Sequence, residues 1–280
     1  MRLFELKKRL VAILEQNSDV ENAPREFSII VEDSIGLSKL DQIINPNFNI
    51  DDEMCKIIEE KALRRKSHTP LSYITGKREF YGLSFNVSID TLIPRPDTET
   101  LVEEAINEIK KIENANVLDL CTGTGAIGIA IKANCNCSIT LSDISEKTLE
   151  VTKRNAKELI NSDCKIILSN LFDNIDDKFD IIATNPPYLT QKWYQEVSDE
   201  VKKEPKLALV SPGNDGLDLI REIISKAPKY LKNGGILLIE CDYRQTNLCA
   251  KLLETGNFKN IKIIKDLAQK ERVVRGSYYA

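Results

Sequence analysis

Histidine is almost absent from this 280-residue sequence, in which His68 is the only one. The one close pair of cysteines, Cys135 and Cys137, has no second cluster that could complete a zinc site. His68 belongs to the polar stretch RRKSHTP, where a solvated residue at a helix end is expected. The sequence therefore predicts no metal centre.

Apolar runs long enough to span a bilayer are also missing. The N-terminus, MRLFELKKRLVAILEQ, mixes charges with its apolar residues and has no small-residue cleavage site, so it is a poor signal peptide. The seven cysteines are odd in number and scattered, which indicates reduced thiols rather than a disulfide framework. We therefore expect a cytoplasmic protein with no membrane partner.

The sequence also lacks an excess of positive charge. The chain has 39 Lys and Arg against 43 Asp and Glu, a net charge of -4. Proteins that hold nucleic acid tightly neutralise many phosphates, so no direct nucleic-acid partner is expected. Hydrophobic residues make up 42% of the chain, enough for real cores, and the length suggests about two domains.

The predicted domains are a helical domain over residues 1–75, a β-hairpin linker over residues 76–90, and a larger domain over residues 91–280. Leu3, Leu6, Leu10 and Leu14 recur at helical spacing at the start of the first domain. That domain carries no catalytic constellation. It is either a plain helical bundle or a domain that recognises a macromolecular substrate.

From Asn116 onward, apolar strand candidates alternate with helical segments. This alternation predicts an α/β fold with a doubly wound, mostly parallel sheet, and the last two strands indicate an antiparallel C-terminal hairpin. The predicted strands are 117–120, 138–142, 165–168, 179–184, 235–240, 259–265 and 272–278. The predicted helices are 126–132, 145–159, 217–231 and 243–254. Ligands of such sheets bind beyond the carboxyl ends of the strands.

A glycine turn follows the first of these strands, in NVLDLCTGTGAIGIAI. Gly123, Gly125 and Gly128 fit G-x-G-x-x-G, and Asp143 follows Gly123 by twenty residues, so it could accept from ribose hydroxyls. This pattern alone also fits a dinucleotide. Asp119 favours S-adenosylmethionine, because a carboxylate would face its cationic groups and would repel a pyrophosphate. Alternatively, Asp119 ties down its own turn.

A second corner, Asn185-Pro186-Pro187-Tyr188, ends the strand FDIIAT. An NH₂ group on a planar amide or base is a poor nucleophile and must be held by its protons. The Asn185 side-chain oxygen and the Pro186 carbonyl could accept those protons, Pro187 stiffens the backbone, and Tyr188 offers a flat wall. The other interpretation is an ordinary turn that ends a strand. The pattern occurs in methyltransferases acting on adenine, guanine, cytosine and glutamine, so alone it does not choose among them.

Several longer blocks narrow the choice of substrate. In chain order they are PLSYITGKREFYGLSF, LIPRPDTE, DLCTGTGAIG, NPPY, EPKLAL and RVVRG. Together they resemble the PrmC/HemK family, the peptide chain release factor glutamine N5-methyltransferases. The resemblance covers the chain from about Pro70 to its end. It implies a class I methyltransferase fold behind a small N-terminal helical domain.

The resemblance also implies an activity, a cofactor and a site. The activity is methylation of the glutamine in the Gly-Gly-Gln motif of class I release factors, with S-adenosylmethionine as cofactor. The implied cofactor-binding residues are Asp119, Cys121, Thr122, Gly123, Thr124, Gly125, Asp143, Leu171 and Asn185. The implied substrate-binding residues are Asn185, Pro186, Pro187 and Tyr188, of which Asn185, Pro186 and Tyr188 are catalytic.

Two positions depart from the family pattern. Leu171 stands where an aromatic residue often lies beside the adenine, and Phe172 is a candidate to share that contact. The glycine that usually follows Glu240 is missing from ECDYRQ. The alternatives left open are a ribosomal-protein glutamine methyltransferase, a nucleic-acid adenine methyltransferase and a noncatalytic nucleotide-binding module.

No histidine or carboxylate adjoins the NPPY corner in sequence. The reaction is therefore expected to run without a dedicated base, and the rate to show no titration between about pH 6.5 and 8.5. If a base exists, the candidates are Tyr188, Glu204 and His68.

Overall fold

The computed structural model of the chain describes residues 1–161 and 164–280 and contains two compact units. A helical unit comprises Met1–Lys77 together with Val197–Lys203, and a sheet unit comprises Arg78–Glu196 together with Glu204–Ala280. The predicted boundaries differ here, because they place residues 197–203 inside a continuous second domain. No helix in the described ranges is long and apolar enough to cross a bilayer.

The helical unit has a single apolar core. Its helices are α1 (Leu3–Leu14), α2 (Ala23–Ile35), α3 (Lys39–Ile44), α4 (Asp52–Lys66) and α5 (Leu71–Thr75). The four leucines of α1 are all buried, and they pack with Phe27 and Ile58 of the neighbouring helices. Asn22, Ser38 and Asp51 cap the next three helices through their side-chain oxygens.

A buried arginine attaches the segment 197–203 to these helices. Arg65 is 2% exposed and pairs with Glu26 at 2.6 Å and with Glu200 at 3.1 Å. Asp19 accepts from the Glu200 backbone N–H at 3.1 Å and lies 2.7 Å from the His68 Nδ1. His68 follows the C-cap of α4 and its side chain is 30% exposed, so the expected helix-end position is confirmed, with Asp19 as an added partner.

The sheet unit contains the remaining elements. Its helices are α6 (Glu99–Ile109), α7 (Ala126–Asn134), α8 (Glu146–Leu159), α9 (Gln191–Glu196), α10 (Lys206–Leu209), α11 (Asp218–Lys226) and α12 (Thr246–Thr255). The strands are β1 (Lys77–Phe80), β2 (Leu83–Asn86), β3 (Asn116–Leu120), β4 (Ser138–Asp143), β5 (Lys165–Leu168), β6 (Phe179–Thr184), β7 (Leu231–Glu240), β8 (Lys259–Lys265) and β9 (Glu271–Ser277). Short 3₁₀ turns cover Pro96–Thr98 and Ala227–Lys229 in this unit, and a third, Val201–Lys203, belongs to the helical unit.

In the described part of the chain, β3 to β9 form one seven-stranded sheet in the order β5-β4-β3-β6-β7-β9-β8. Strands β3 to β7 are parallel, and β9 pairs antiparallel with both β7 and β8. Central strands are buried on both faces, so β6 is mostly apolar, with Asp180 near its start as the one charged residue of the strand. The predicted doubly wound sheet with an antiparallel C-terminal hairpin is confirmed.

Two local expectations change. The helix predicted over 217–231 ends at Lys226, and a 3₁₀ turn follows, because Pro228 cannot continue the hydrogen-bond ladder. The predicted hairpin exists as β1 and β2, but it is more than a linker. Phe80 and Phe85 are buried in the core on one face of the sheet, and the Asn86 backbone N–H donates to Asn155 Oδ1 at 2.8 Å.

Candidate active site

Four side chains lie in a row at the carboxyl edge of four neighbouring strands. The register pairs Leu120 of β3 with Ser142 of β4 and Thr184 of β6, and it pairs Thr184 with Ile239 of β7. The residues that come next in the chain are Asp143, Cys121, Asn185 and Glu240. The strand register thus places the start of the glycine loop and the proline corner beside each other. The Thr184 hydroxyl also donates to the Leu120 carbonyl at 2.7 Å.

A cavity of about 360 Å³ opens at this edge. Of the residues predicted from sequence, those that line it are Cys121, Thr122, Gly123, Thr124, Asp143, Leu171, Asn185 and Pro187. Four others, Asp119, Gly125, Pro186 and Tyr188, are not among its described lining residues. Lining residues that sequence reasoning missed include Arg95, Ile127, Ile144 and Asn170.

The glycine loop, residues 121–125, is shaped for a ligand. Gly123 has φ +57°, and a Cβ built on it would meet no atom within 4 Å. Its backbone N–H donates to Asp143 Oδ2 at 3.0 Å, and the Ser145 N–H donates to Oδ1 of the same carboxylate at 3.0 Å. Burial raises the pKa of Asp143, and these N–H donors oppose that shift. Open space beside a fixed carboxylate fits a nucleoside cofactor.

Asp119 serves the turn itself. Its Oδ2 accepts from the Thr122 hydroxyl at 2.5 Å and from the Gly128 N–H at 2.8 Å. The residue is fully buried, and burial raises its pKa to about 7. Oδ1 has no hydrogen-bond partner among the described residues. These bonds fit the turn-tying alternative, and a contact with a cationic ligand stays a prediction.

Leu171 and Ile144 add apolar side chains to the cavity wall. Leu171 has φ +48°, a backbone conformation that carries its side chain to the cavity wall with Ile144 and Asn170. Phe172 instead stacks on Tyr230, with ring centroids 4.5 Å apart, and is buried in the core. The suggestion that Phe172 shares an adenine contact is therefore wrong, because its ring is committed to packing.

At the proline corner, residues 185–188, the Asn185 amide is anchored on its nitrogen side. Nδ2 donates to Glu240 Oε1 at 2.9 Å and to Thr98 Oγ1 at 3.3 Å. Within the described ranges, no donor bonds to the Asn185 Oδ1 or to the Pro186 carbonyl. Both predicted acceptors are thus free, and Asn185 faces the cavity.

Tyr188 is held mainly through its backbone. Its carbonyl accepts from Gln245 Nε2 at 2.9 Å, and Gln245 is itself 2% exposed. The Tyr188 ring packs against the core beside Cys121, and burial raises the pKa of its phenol. A neutral phenol at working pH makes Tyr188 a poor base, and its role as a flat wall for the substrate stays a prediction.

Glu240 is the residue that sequence reasoning missed. It is 1% exposed, and burial raises its pKa to about 7. Sequence distance hid it, since it lies 55 residues from Asn185. The available signal was its place as the last residue of β7, beside the strand that ends in NPPY. The expectation that no carboxylate adjoins this corner holds in sequence and is wrong in space.

The other suggested bases are each accounted for by their own contacts or position in the fold. Glu204 accepts from the Ile93 N–H at 3.0 Å and pairs with Arg95. His68 belongs to the helical unit. Among the described residues, no group of three or more His, Cys, Asp or Glu side chains could hold a metal ion.

This sheet, with its glycine loop and the cavity at the carboxyl edge, is that of the class I methyltransferases. A methyltransferase from Pyrococcus furiosus matches at a TM-score of 0.52 and 17% identity, over 79% of this chain and 98% of that one. A Thermus thermophilus 16S rRNA N2 G1207 methyltransferase, solved with AdoMet and guanosine, also matches at 0.52 and 17%, over 72% and 49%. At these identities the likeness concerns the fold alone.

Sequence comparisons give the family. Residues 97–214 match the Methyltransferase small domain, and residues 5–76 match the PrmC N-terminal domain. A release factor glutamine methyltransferase from Buchnera aphidicola is 35% identical over 99% of both chains, and one from Clostridium acetobutylicum is 35% identical over 98% of both. One from Fusobacterium nucleatum is 40% identical over 80% of this chain and 64% of its own. The chain belongs to the release factor glutamine methyltransferase family.

Proposed function

We propose that this protein transfers a methyl group from S-adenosylmethionine to the side-chain nitrogen of the glutamine in the Gly-Gly-Gln motif of class I peptide chain release factors. The observation that carries the proposal is the pair of free acceptors, Asn185 Oδ1 and the Pro186 carbonyl, beside the cofactor-shaped cavity. Family membership supports the choice of glutamine over a nucleic-acid base.

S-adenosylmethionine supplies a methyl group made electrophilic by its sulfonium sulfur. Asp143 has lone pairs to accept from the ribose hydroxyls, since a carboxylate offers about four acceptor sites and two are used by backbone N–H groups. The open space at Gly123 admits the body of the cofactor. Ile144 and Leu171 offer apolar contact to the adenine.

The chain's own contribution is to orient the glutamine nitrogen. The amide lone pair is delocalised, so the nitrogen must be aimed at the methyl carbon by holding its two protons. As the new N–C bond forms and the S–C bond breaks, positive charge grows on nitrogen and its N–H groups become stronger donors. Asn185 and Pro186 therefore stabilise the transition state more than the ground state. One N–H proton would then pass to water, S-adenosylhomocysteine would leave, and the product would be the neutral N5-methyl amide.

The helical unit is proposed to recognise the body of the release factor. Its match to the PrmC N-terminal domain supports this role. The reaction would take place in the cytoplasm, with a protein rather than a nucleic acid as the direct partner. With the full-length enzyme, KM for an intact release factor should be at least ten times lower than for a Gly-Gly-Gln peptide, since remote contacts add binding. Equal KM values would remove the recognition role.

The activity is tested by methyl transfer from labelled S-adenosylmethionine to three proteins. These are a class I release factor, the same factor with the motif glutamine replaced by alanine, and a purified ribosomal protein set. We expect label only on the intact factor, at the glutamine side chain. Label on a ribosomal protein in preference to the factor would transfer the assignment to the related glutamine methyltransferases.

A further inference from the structure

Glu240 is a buried acid whose position the glutamine-holding chemistry alone does not require. One oxygen accepts from Asn185 Nδ2 at 2.9 Å, and the other, Oε2, is buried with no hydrogen-bond partner among the described residues. A buried carboxylate left half satisfied costs free energy, and such groups tend to be kept for a reason other than stability. The contacts of Glu240 with Asn185 and Thr98 indicate a role in orienting the Asn185 amide.

The side-chain amide of asparagine can face the cavity in two ways. With Oδ1 outward it accepts, and with Nδ2 outward it donates. An ionised carboxylate has no proton to donate, so contact with Glu240 requires the Asn185 nitrogen to point inward. Thr98 adds to this, because its hydroxyl is within hydrogen-bond reach of both Glu240 and the Asn185 nitrogen.

We infer that Glu240 is a positioning and specificity-determining residue, which locks the Asn185 amide with its oxygen toward the substrate so that the site accepts a glutamine NH₂ and rejects a carboxylate. This inference rests on the proposed function. A glutamine side chain presents two N–H donors to the Asn185 and Pro186 oxygens. A glutamate at the same place would set its oxygens against two acceptors and leave all of them unpaired, which sites of this kind reject strongly.

Glu240→Gln tests the inference while keeping the side-chain shape. The Gln amide can donate or accept, so Asn185 becomes free to turn over. For wild type saturated with S-adenosylhomocysteine, calorimetry should find at least tenfold tighter binding of a Gly-Gly-Gln peptide than of a Gly-Gly-Glu peptide. In Glu240→Gln the preference should fall to about threefold or less. An unchanged preference would overturn the inference.

A double-mutant cycle on kcat supplies the second readout. Glu240→Gln should lower kcat about tenfold in the wild-type background and less than twofold in the Asn185→Ala background, because a residue that acts through Asn185 has nothing to act on there. A tenfold loss that persists without Asn185 would mean that Glu240 acts on its own, as a base or through the fold, and would overturn the inference.

Controls separate this outcome from other failures. Glu108→Gln also neutralises a buried acid. Glu108 lies on α6 and pairs with Arg275 and Lys111, and not with the proline corner, so the peptide preference should stay unchanged. If Glu240→Gln does not fold, Thr98→Val removes the second contact and should reduce the peptide preference in the same direction, and no reduction would overturn the inference. If wild type transfers no methyl group to a release factor, the proposed function is wrong. If wild type does transfer it and the Glu240→Gln variant keeps the wild-type peptide preference, only the role inferred for Glu240 is wrong.

Discussion

The glycine loop and the proline corner stand side by side at the same sheet edge, but they are held in different ways. The loop is fixed by its near neighbours in sequence. Thr122 and Gly128 bond to Asp119, three and nine residues away, and Gly123 bonds to Asp143, twenty residues away. The corner is fixed from afar, because Asn185 is anchored by Glu240, 55 residues on, and by Thr98, 87 residues back.

This difference follows from what each region has to do. A cofactor loop needs its own backbone to lie close to the ligand, and local bonds within one strand–turn–helix unit can set that shape. The corner must present the oxygen of the Asn185 side chain, although the amide group can flip and exchange its oxygen and nitrogen. Fixing that atom takes a partner on the next strand, and such a partner lies far away along the chain.

Replacement of Asn185 should have the largest effect of all, and it tests whether the corner holds the substrate amide. Asn185→Ala should lower kcat by about 10²–10³, by analogy with the loss of one oxyanion-hole group, because an acceptor that meets developing charge is removed. Affinity for S-adenosylmethionine should change less than threefold. Stopped-flow or radiometric turnover with calorimetry on the same preparation gives both numbers.

Asn185→Asp is the matched variant, since it keeps an acceptor. It also places a second carboxylate 2.9 Å from Glu240 with nearly no solvent, so we expect an equal loss of kcat and a lower Tm. Turnover within fivefold of wild type for either variant would contradict the assignment of the corner.

Gly123→Val should have the next largest effect, and it tests the glycine loop alone. The added side chain would enter the open space that the cofactor needs and would strain a backbone at φ +57°, so affinity should fall about 100-fold or more. Gly36→Val is the control, because Gly36 has φ +69° and open space around its Cβ position but ends α2 in the helical unit. It should lose stability and keep cofactor affinity. Equal affinity losses would mean that strain, and not the cavity, explains the result.

The difference between the locally held loop and the distantly held corner also explains which site residues could be predicted from the sequence. The glycine loop and Asp143 could be located because a strand, a turn and the next strand lie within one stretch of 25 residues (119–143). Asn185 and Pro186 could be named because proline and asparagine mark a corner. Glu240 could not, because only the register of β6 against β7 makes it adjacent to Asn185.

The same reasoning explains the fold-level differences. The strands could be predicted because buried parallel strands are predominantly apolar. The attachment of residues 197–203 to the helical unit could not, since it depends on Arg65, which lies in the polar stretch RRKSHTP and carries no sign of burial in the sequence. A buried ion pair with Glu26 and Glu200 leaves no periodic signal in the sequence.

Acid pH should lower kcat about tenfold through the proline corner. Burial raises the pKa of Glu240 to about 7, and only its ionised form forces the Asn185 oxygen outward. The charged and titratable groups near it are Arg272 of β9, Asp97 of the first 3₁₀ turn, Tyr188 of the corner, and Cys241, which directly follows β7. As pH falls below about 7 the active form is lost, so kcat at pH 6 should be about one-tenth of its plateau. This replaces the sequence-based expectation of no titration.

The pH profile of the Glu240→Gln variant shows whether Glu240 causes this loss of kcat at acid pH. In this variant, kcat should be low and nearly flat between about pH 6 and 8. Asp119 has a similarly raised pKa of about 7 and remains in place, so a loss of kcat at acid pH that survives in Glu240→Gln would belong to the glycine loop instead.

The smallest effect is expected from Asp119→Asn, and it decides what the buried acid of the glycine loop does. The Asn oxygen can still accept from Thr122 and Gly128, so a turn-tying residue loses little, and Kd for S-adenosylmethionine should rise less than threefold. A residue that met the cationic groups of the cofactor would lose a charge-assisted contact, and Kd would rise tenfold or more. Two observations favour the small effect: Asp119 is 0% exposed, and its pKa of about 7 leaves it only partly ionised at neutral pH. Asp119→Ala removes the acceptor and should weaken binding at least tenfold while lowering Tm. A tenfold loss in the Asn variant at unchanged Tm would instead make Asp119 a cofactor ligand, and the loop would then resemble the corner in using a buried acid for its ligand.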